Sequence, residues 1–419
     1  MTRTSHAGIW LTAGAAGACL SAILAVVVLL LADGLATFWP ARIVELRLND
    51  GVTLLGEIAS TSEGALVLRT SERERAGDGY RRVERSTIAA QSEPSDAFVV
   101  ALADGRRWFG RGDDAASPAF ASAVPASASI EEILHPNAET LVARIGIFVR
   151  HVWRFLATST TAPALVGGAF PALVGTLTLV LLMSLIVMPF GVAAAVYLHE
   201  RHGAAAGIVR SAIANLAGVP SIVYGVLGLG LFVHGLGASI DRWFFAERLP
   251  VPTFGSGGLL WAALTLALLT LPVVVVSVEE GLARIPPGLR AGSLALGATS
   301  GETVWRLLLP AARPALLTGL ILAIARAAGA VAPLMLVGVV KLAPALPVDG
   351  EFPYLHPSRQ FMHLGFSVYD SALASPDALR GVPRAYACAL LLVAVVIALN
   401  LAAIVLRNRL RERYRALES

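Results

Sequence analysis

One charged side chain, Arg326, stands inside an apolar stretch long enough to cross a bilayer. An arginine at the centre of a membrane helix costs roughly 2.5–3.5 kcal/mol even on the lenient insertion scale, so such residues usually face a cavity and serve function. A guanidinium offers a rigid fork of donors suited to an oxyanion. The plainer alternative is a structural pairing with a neighbouring helix's carbonyls or acid. Other chemistry-bearing residues do not assemble into a site. Lys341, the only lysine, is followed by Leu342 and cannot close the phosphate loop Gly-x-x-x-x-Gly-Lys-Ser/Thr. "HERH" at 199–202 lacks the spacing of the zinc motif H-E-x-x-H and reads as an interfacial polar cluster. "FGSGG" around Ser256 is a turn rather than a nucleophile elbow. Cys19 and Cys388 fall in apolar runs, where a free thiol behaves as a small hydrophobe. No catalytic constellation, metal site or cofactor is expected, and the chain is not expected to be an enzyme.

These residues need elements to hold them. Of 419 residues, 56% are hydrophobic and 15% charged, and the mean hydropathy is +0.70, outside the usual range of a soluble domain. The chain reads as an integral membrane protein. With no basic cluster interleaved with aromatics, nucleic acid is not expected as a partner. A helix needs about 20 apolar residues to cross the hydrocarbon core, and six stretches qualify: 9–31, 171–197, 213–233, 259–278, 316–339 and 386–406. The first follows Arg3 and His6 as a signal peptide would, but it exceeds the usual apolar core of about 7 to 15 residues and is read as an uncleaved anchor. In the third, Pro220 is expected to kink the helix, and Gly225, Gly228 and Gly230 to allow close helix approach. With the N-terminus inside, the inner loops carry Arg201, Arg210, Arg284, Arg290, Arg306 and Arg313. The tail adds Arg407, Arg409, Arg411, Arg413 and Arg415, against Arg242, Arg248, Lys341, Arg359, Arg380 and Arg384 in the outer loops. This bias places both termini in the cytoplasm.

The segment after the first span differs in character. It holds the alternating run Val44-Glu45-Leu46-Arg47-Leu48, then Asn49-Asp50-Gly51, and later "FVVALADGRRWFG" from Phe98. Asp-Gly between strand-like runs marks a hairpin, and "LNDGVTLLG" and "LADGRRWFG" share L-x-D-G-x4-G, a sign of a duplicated hairpin. A small β-rich extracytoplasmic domain is expected over 38–128, closing in an Ala/Ser/Pro-rich linker at 118–128. An amphipathic helix over 129–170 then returns to the membrane. "RGD" at 111–113 is read as chance.

"LRAGSLALGATSGETVWRLLLPAARP", 289–314, is too polar and glycine-broken to span, although apolar runs flank it. Pro286 and Pro287 stop the preceding helix. A short helix over 289–296, a turn at Gly297 and a capping box over 299–302 are expected to follow. A second helix then begins, with Val304, Leu307, Leu308 and Ala311 on one face. This segment resembles the EAA loop of ABC importer permeases, E-A-A-x3-G-x9-I-x-L-P. Ala291, Gly292 and Ser293 take the first three places, Gly297 the glycine, and Leu307, Leu309 and Pro310 the close. Ala291 stands where the family has an acid. Three further stretches, 215–233, 264–287 and 321–372, are similar to the phosphate-specific permeases of the PstA type, within the binding-protein-dependent transport permeases. The likeness runs over 165–410, and the outer domain resembles the N-terminal extension of a longer subgroup.

The resemblance implies an all-α polytopic membrane protein with six transmembrane helices, like a type I ABC importer permease, plus a small β-rich extracytoplasmic domain inserted after the first helix. The expected order is an anchor at 1–37, the outer domain at 38–128, a connecting helix at 129–170, a permease core at 171–410 with a coupling loop at 279–314, and a basic tail at 411–419. The implied function is the permease subunit of an ATP-driven inorganic phosphate importer in the bacterial inner membrane, with Arg326 in the translocation path. Implied partners are two copies of a separate ATP-binding subunit seated on the loop, a second homologous permease, an external phosphate-binding protein, inorganic phosphate and the lipid bilayer. The family motif around the arginine resembles A-R-A-A-G-E; Ala330 stands at the acid's place, four after Arg326 and on the same helix face, removing a local counter-ion. The competing readings are an importer of another oxyanion, such as sulfate or molybdate, and a phosphate-sensing or assembly scaffold with weak or no transport. Ala291 and Ala330 favour the scaffold.

Overall fold

The computed structural model describes residues 6–62, 64–70, 79–102, 107–112, 130–159, 168–375 and 378–415. The linker expected at 118–128, Asp113 of the "RGD" triplet and the last four residues of the tail lie outside them. The chain forms two compact units, Met1–Phe170 with Val368–Leu390, and Pro171–Ser367 with Leu391–Ser419.

Among the described residues, the first unit opens with the helix His6–Ala36 and carries eight strands. Strands β1 (Ile43–Leu48), β2 (Thr53–Thr61), β3 (Ala65–Arg69), β4 (Tyr80–Glu84) and β5 (Ile88–Ser92) form an antiparallel sheet in the order β4-β3-β2-β1-β5. β6 (Ala97–Leu102), β7 (Arg107–Arg111) and β8 (Ile130–Leu134) form a second sheet, ordered β7-β6-β8. The Asn49-Asp50-Gly51 signal makes the β1–β2 turn, where Asp50 Oδ1 accepts from the Val52 N–H at 3.0 Å and Gly51 sits at φ 83°. The two L-x-D-G-x4-G segments therefore open two hairpins, but in different sheets, and the second turn lies at 103–106, outside the described residues. β6, an unbroken apolar run, is buried along its whole length between its two neighbours.

The helix expected to start at 129 does not. Residues Ile130–Leu134 pair with β6, and the helix is confined to Leu141–Ala157 after Pro136 and a Thr140 N-cap. Asn137 fixes this corner: its amide accepts from the Ile43 N–H at 3.0 Å and donates to the Ile43 and Pro94 carbonyls at 2.7 and 2.8 Å. Ile147 packs with Ile43, Val99 and Phe109, so the helix shares the core of the sheets.

The second unit is helical. Its centre is Leu259–Ala283, where Leu259, Leu266, Val274, Val275 and Val278 are fully buried. The Thr265 and Thr270 hydroxyls donate back to the carbonyls of Trp261 and Leu266 at 2.7 and 2.8 Å, so they enter the core satisfied. Among the described residues, five helices are long and apolar enough to span: Trp10–Ala36, Phe170–Glu200, Ser221–Phe244, Leu259–Ala283 and Gly381–Arg409. A sixth arises only if Ser300–Ala311 and Arg313–Ala328, bent by 66° at their junction, count as one span.

Two expected spans are therefore corrected. The stretch 213–233 is not one kinked helix: Ala204–Gly218 ends before Pro220, and the spanning helix starts at Ser221. Pro220 has no N–H for the Leu216 carbonyl, which accepts from the Val219 N–H at 3.3 Å and from the buried Tyr224 hydroxyl at 2.5 Å. Of the glycines read there as packing sites, Gly225 and Gly228 have no room for a Cβ, against Pro333 and Thr265, whereas Gly230 faces open space. The stretch 316–339 divides into Arg313–Ala328 and Ala332–Val337, with Gly329 ending the first and Pro333 in the first turn of the second.

Candidate functional site

The segment between Leu259–Ala283 and Arg313–Ala328 is built from local signals. Pro286 and Pro287 end one helix and start the next, Pro287–Ala295. That helix closes in a Schellman motif: Gly297 N–H bonds to the Leu294 carbonyl at 3.0 Å, and Ala298 N–H to that of Ser293 at 3.2 Å. Gly297 is left-handed, φ +88°, the conformation only glycine adopts freely. A capping box follows, in which Thr299 Oγ1 accepts from the Glu302 N–H at 3.2 Å and the Glu302 carboxylate accepts from the Thr299 N–H at 3.0 Å. Residues 303–308 are wound as a π-helix. With this wider turn the buried stripe is Thr303, Val304, Leu308 and Ala312, while Ala311, expected on one face with Val304 and Leu308, is exposed.

The segment is tied to its own unit. Ser293 Oγ and Thr303 Oγ1 share a hydrogen bond of 2.9 Å across the turn. Arg290 pairs with Glu200 at the end of Phe170–Glu200, and within the bundle Arg210 of Ala204–Gly218 pairs with Glu279 of Leu259–Ala283 at 2.6 Å. Beyond the turn, Ser277 Oγ donates to the Ala315 carbonyl at 3.1 Å, and Gly281 has no room for a side chain against the Ala315 methyl. Ala291, Gly292 and Gly297 of the expected set are exposed, while Ser293, Leu307, Leu309 and Pro310 are half-buried. Two residues that the sequence reading missed stand out here. Leu296, immediately before the glycine turn, is 91% exposed, and Trp305 is 74% exposed. An apolar residue at the tip of a polar turn was the available signal for Leu296.

Arg326 lies in the last turn of Arg313–Ala328, exposed, beside the fully buried Ala327 and Ala328. Among the described residues it makes no hydrogen bond or ion pair. The helix stops two residues later, which corrects the expectation that position 330 shares a helix face with Arg326. Ala330 lies past the helix end, its N–H bonded to the Ala327 carbonyl at 3.1 Å and its methyl against the core.

The polar stretch between Val337 and Leu364 carries a network without sequence periodicity. Arg359 donates to the Asp349 carboxylate and to the Leu346 carbonyl, while His356 Nε2 lies 2.9 Å from Asp349 Oδ1. The Arg359 guanidinium, and then His356, hold the Asp349 carboxyl down to about 2. Phe352 and Tyr354 stack edge to face at the tip, both exposed. His363, fully buried and accepting from the Gly365 N–H at 3.1 Å, is pushed down to about 4 by burial.

Residues 141–416 match the family described as binding-protein-dependent transport system inner membrane component. The probable ABC transporter permease protein YqgH of Bacillus subtilis (strain 168) is 34% identical over 185 residues, 43% of this chain and 56% of its own. The phosphate transport system permease protein PstA 1 of Mycobacterium tuberculosis (strain ATCC 25618 / H37Rv) is 33% identical over 242 residues, 58% of this chain and 70% of its own. Among solved structures, an inward-facing MetNI methionine ABC transporter, in its native crystal form, matches 65% of this chain and 99% of its own at 20% identity, with a TM-score of 0.40.

Proposed function

The chain belongs to the family of binding-protein-dependent transport system inner membrane components, and from that premise we propose that it is the permease subunit of an ATP-driven importer of inorganic phosphate. The substrate reading is supported by the 242-residue likeness to a phosphate transport permease. The observation that carries the chemistry is Arg326, an unpaired guanidinium at the end of an apolar helix that breaks. Broken helices in transporters place charge and free backbone groups around substrate, and an arginine there gives an oxyanion both charge and a two-pronged donor.

The segment 287–311 is the seat for a separate ATP-binding subunit. Exposed Leu296 and Trp305 supply the apolar contact, and the Arg290–Glu200 pair transmits movement of the seat to the bundle. On this reading the segment and both termini are cytoplasmic, which takes the bent pair Ser300–Ala311 and Arg313–Ala328 as the sixth crossing. The assembly is then two ATP-binding subunits, a second permease and an external phosphate-binding protein.

The test is uptake of labelled phosphate by phosphate-starved cells that lack their native system, with the cognate subunits present. The parent chain takes up phosphate, Arg326→Ala abolishes uptake at equal protein level, and Arg326→Lys keeps part of it. Unchanged uptake by Arg326→Ala refutes the role of the arginine, and uptake of sulfate in place of phosphate refutes the substrate.

A further inference from the structure

The helix Leu141–Ala157 carries two apolar faces, and the first unit covers only one of them. Ile147 and Phe155 are buried, and Phe148 packs on Trp39 with ring centroids 5.8 Å apart. On the opposite side Val142, Ile145, Val149 and Trp153, three, four and four residues apart, form a stripe that is exposed throughout, Val142 at 80% and Trp153 at 71%. A helix that rests on a domain in water turns polar residues outward, so this stripe calls for a second apolar contact. With 17 residues, about 25 Å at 1.5 Å per residue, the helix is too short to cross a hydrocarbon core of about 30 Å.

Its attachments within the first unit fix its level. Trp10–Ala36 ends two residues before Phe38, whose ring packs on Phe155 at 5.2 Å and whose carbonyl accepts from His151 Nδ1 at 3.0 Å. The Arg144 guanidinium lies over the Trp39 ring at 5.2 Å and donates to the Pro40 carbonyl at 3.1 Å. At the other end of the helix, the Ala169 N–H donates to the Phe155 carbonyl at 2.8 Å, directly before the span that starts at Phe170. Thr37 Oγ1 in turn donates at 3.2 Å to the carbonyl of Pro383, in the first turn of Gly381–Arg409. The ends of three helices able to span therefore meet beside this one. Two or three residues of chain reach at most about 7–11 Å past a span end, and the headgroup layer is about 5–7 Å deep on each side of the core.

We propose that Leu141–Ala157 lies in the surface layer of the bilayer, with Val142, Ile145, Val149 and Trp153 immersed at the boundary of headgroups and acyl chains, and so moors the β-rich domain to the membrane. The occupant of the stripe is lipid because the helix adjoins a span whose own apolar side chains, Leu31 and Leu35 among them, are exposed, and because the amphipathic ring of tryptophan suits this boundary. Charge is not the attraction. Arg150 and Arg154 both reach Glu132, at 2.7 and 3.4 Å, so a zwitterionic lipid serves as well as an anionic one. The proposal rests on the family's place in the membrane and not on the cargo.

The experiment uses the full chain assembled with its cognate subunits in phosphatidylcholine nanodiscs. In a Cys19→Ser, Cys388→Ser background, Val142→Cys, Ile145→Cys, Val149→Cys and Trp153→Cys are made singly and spin-labelled, with Arg47→Cys, exposed on β1, as the water-facing reference. Collision with oxygen, which concentrates in lipid, is compared with collision with a water-soluble nickel chelate. Oxygen prevails at the four stripe positions and the ratio inverts at Arg47→Cys. An unchanged melting temperature shows that each labelled protein is folded. Nickel prevailing along the stripe means that it faces water, and low collision with both reagents means that a protein covers it; either result overturns the proposal.

Discussion

Gly297 and Gly292 lie five residues apart in the same segment, and the same substitution has opposite signs at the two. At Gly297 a Cβ meets nothing within 4 Å, so the whole cost of Gly297→Ala is backbone conformation at φ +88°. The left-handed region costs an L-residue roughly 1–2 kcal/mol, offset by about 0.4–1 kcal/mol from stiffening the unfolded chain. The net loss is about 1 kcal/mol, located at the turn that sets the angle between the two helices it joins. Gly292 also has open space around it but sits inside Pro287–Ala295, so Gly292→Ala gains about 0.5–1 kcal/mol. The assays are thermal unfolding of the purified complex and the affinity of the ATP-binding subunit for the chain. Gly297→Ala lowers both, affinity by up to about fivefold since 1 kcal/mol corresponds to such a factor, while Gly292→Ala raises stability or leaves it unchanged. Equal effects of the two alanines, or a Gly297→Ala protein as stable and as tightly docked as the parent, would refute the view that conformation at this one residue positions the segment.

Three further outcomes are expected. Leu296→Ser leaves the melting temperature within about 1 °C, because the side chain is 91% exposed, but weakens binding of the ATP-binding subunit in a pull-down titration. Tyr224→Phe removes the shorter of two hydrogen bonds to the Leu216 carbonyl at the Pro220 break, leaving the Val219 N–H at 3.3 Å, and destabilises by about 0.5–1.5 kcal/mol in denaturant unfolding. His363, outside the candidate spans, stays neutral in the folded protein down to about pH 4 but protonates near 6.5 when unfolded. The unfolded chain therefore binds the extra proton, and stability falls as pH drops from about 6.5 to 4, by on the order of 3 kcal/mol; a melting-temperature series in which His363→Asn removes none of that slope would contradict this.

What was legible in the sequence was local. The Schellman glycine, the capping box and the Asp-Gly turn each depend on residues within five positions, and each lies where its residues point. What was not legible depended on partners far along the chain. "IEEIL" at 130–134 fits the start of a helix as well as a strand, and only pairing with β6 decides between them. There Glu132 faces inward to reach Arg150 at 2.7 Å. The Glu200–Arg290 pair joins residues 90 apart. Apolarity alone could not locate the breaks at Pro220 and Gly329, since hydropathy runs on unbroken across positions where the backbone lacks a donor or the helix ends.

The break after Ala328 changes the meaning of the missing acid. On a continuous helix, positions 326 and 330 are neighbours at i and i+4, and losing a carboxylate at 330 would leave Arg326 without its helix partner. In this chain the helix has already ended, and Ala330 packs against the hydrophobic core of the bundle. A carboxylate there would be drawn into apolar surroundings at a cost of several kcal/mol unless paired, so alanine suits this backbone and is not simply a deletion. The second absent acid, at Ala291, sits on an exposed helix face next to Arg290, which takes its carboxylate from Glu200 on another helix. Neither alanine therefore requires a loss of transport. On the proposed phosphate-permease reading, a guanidinium at 326 with no carboxylate on its own helix is left to meet the anion, and release then depends on whatever opposes its charge.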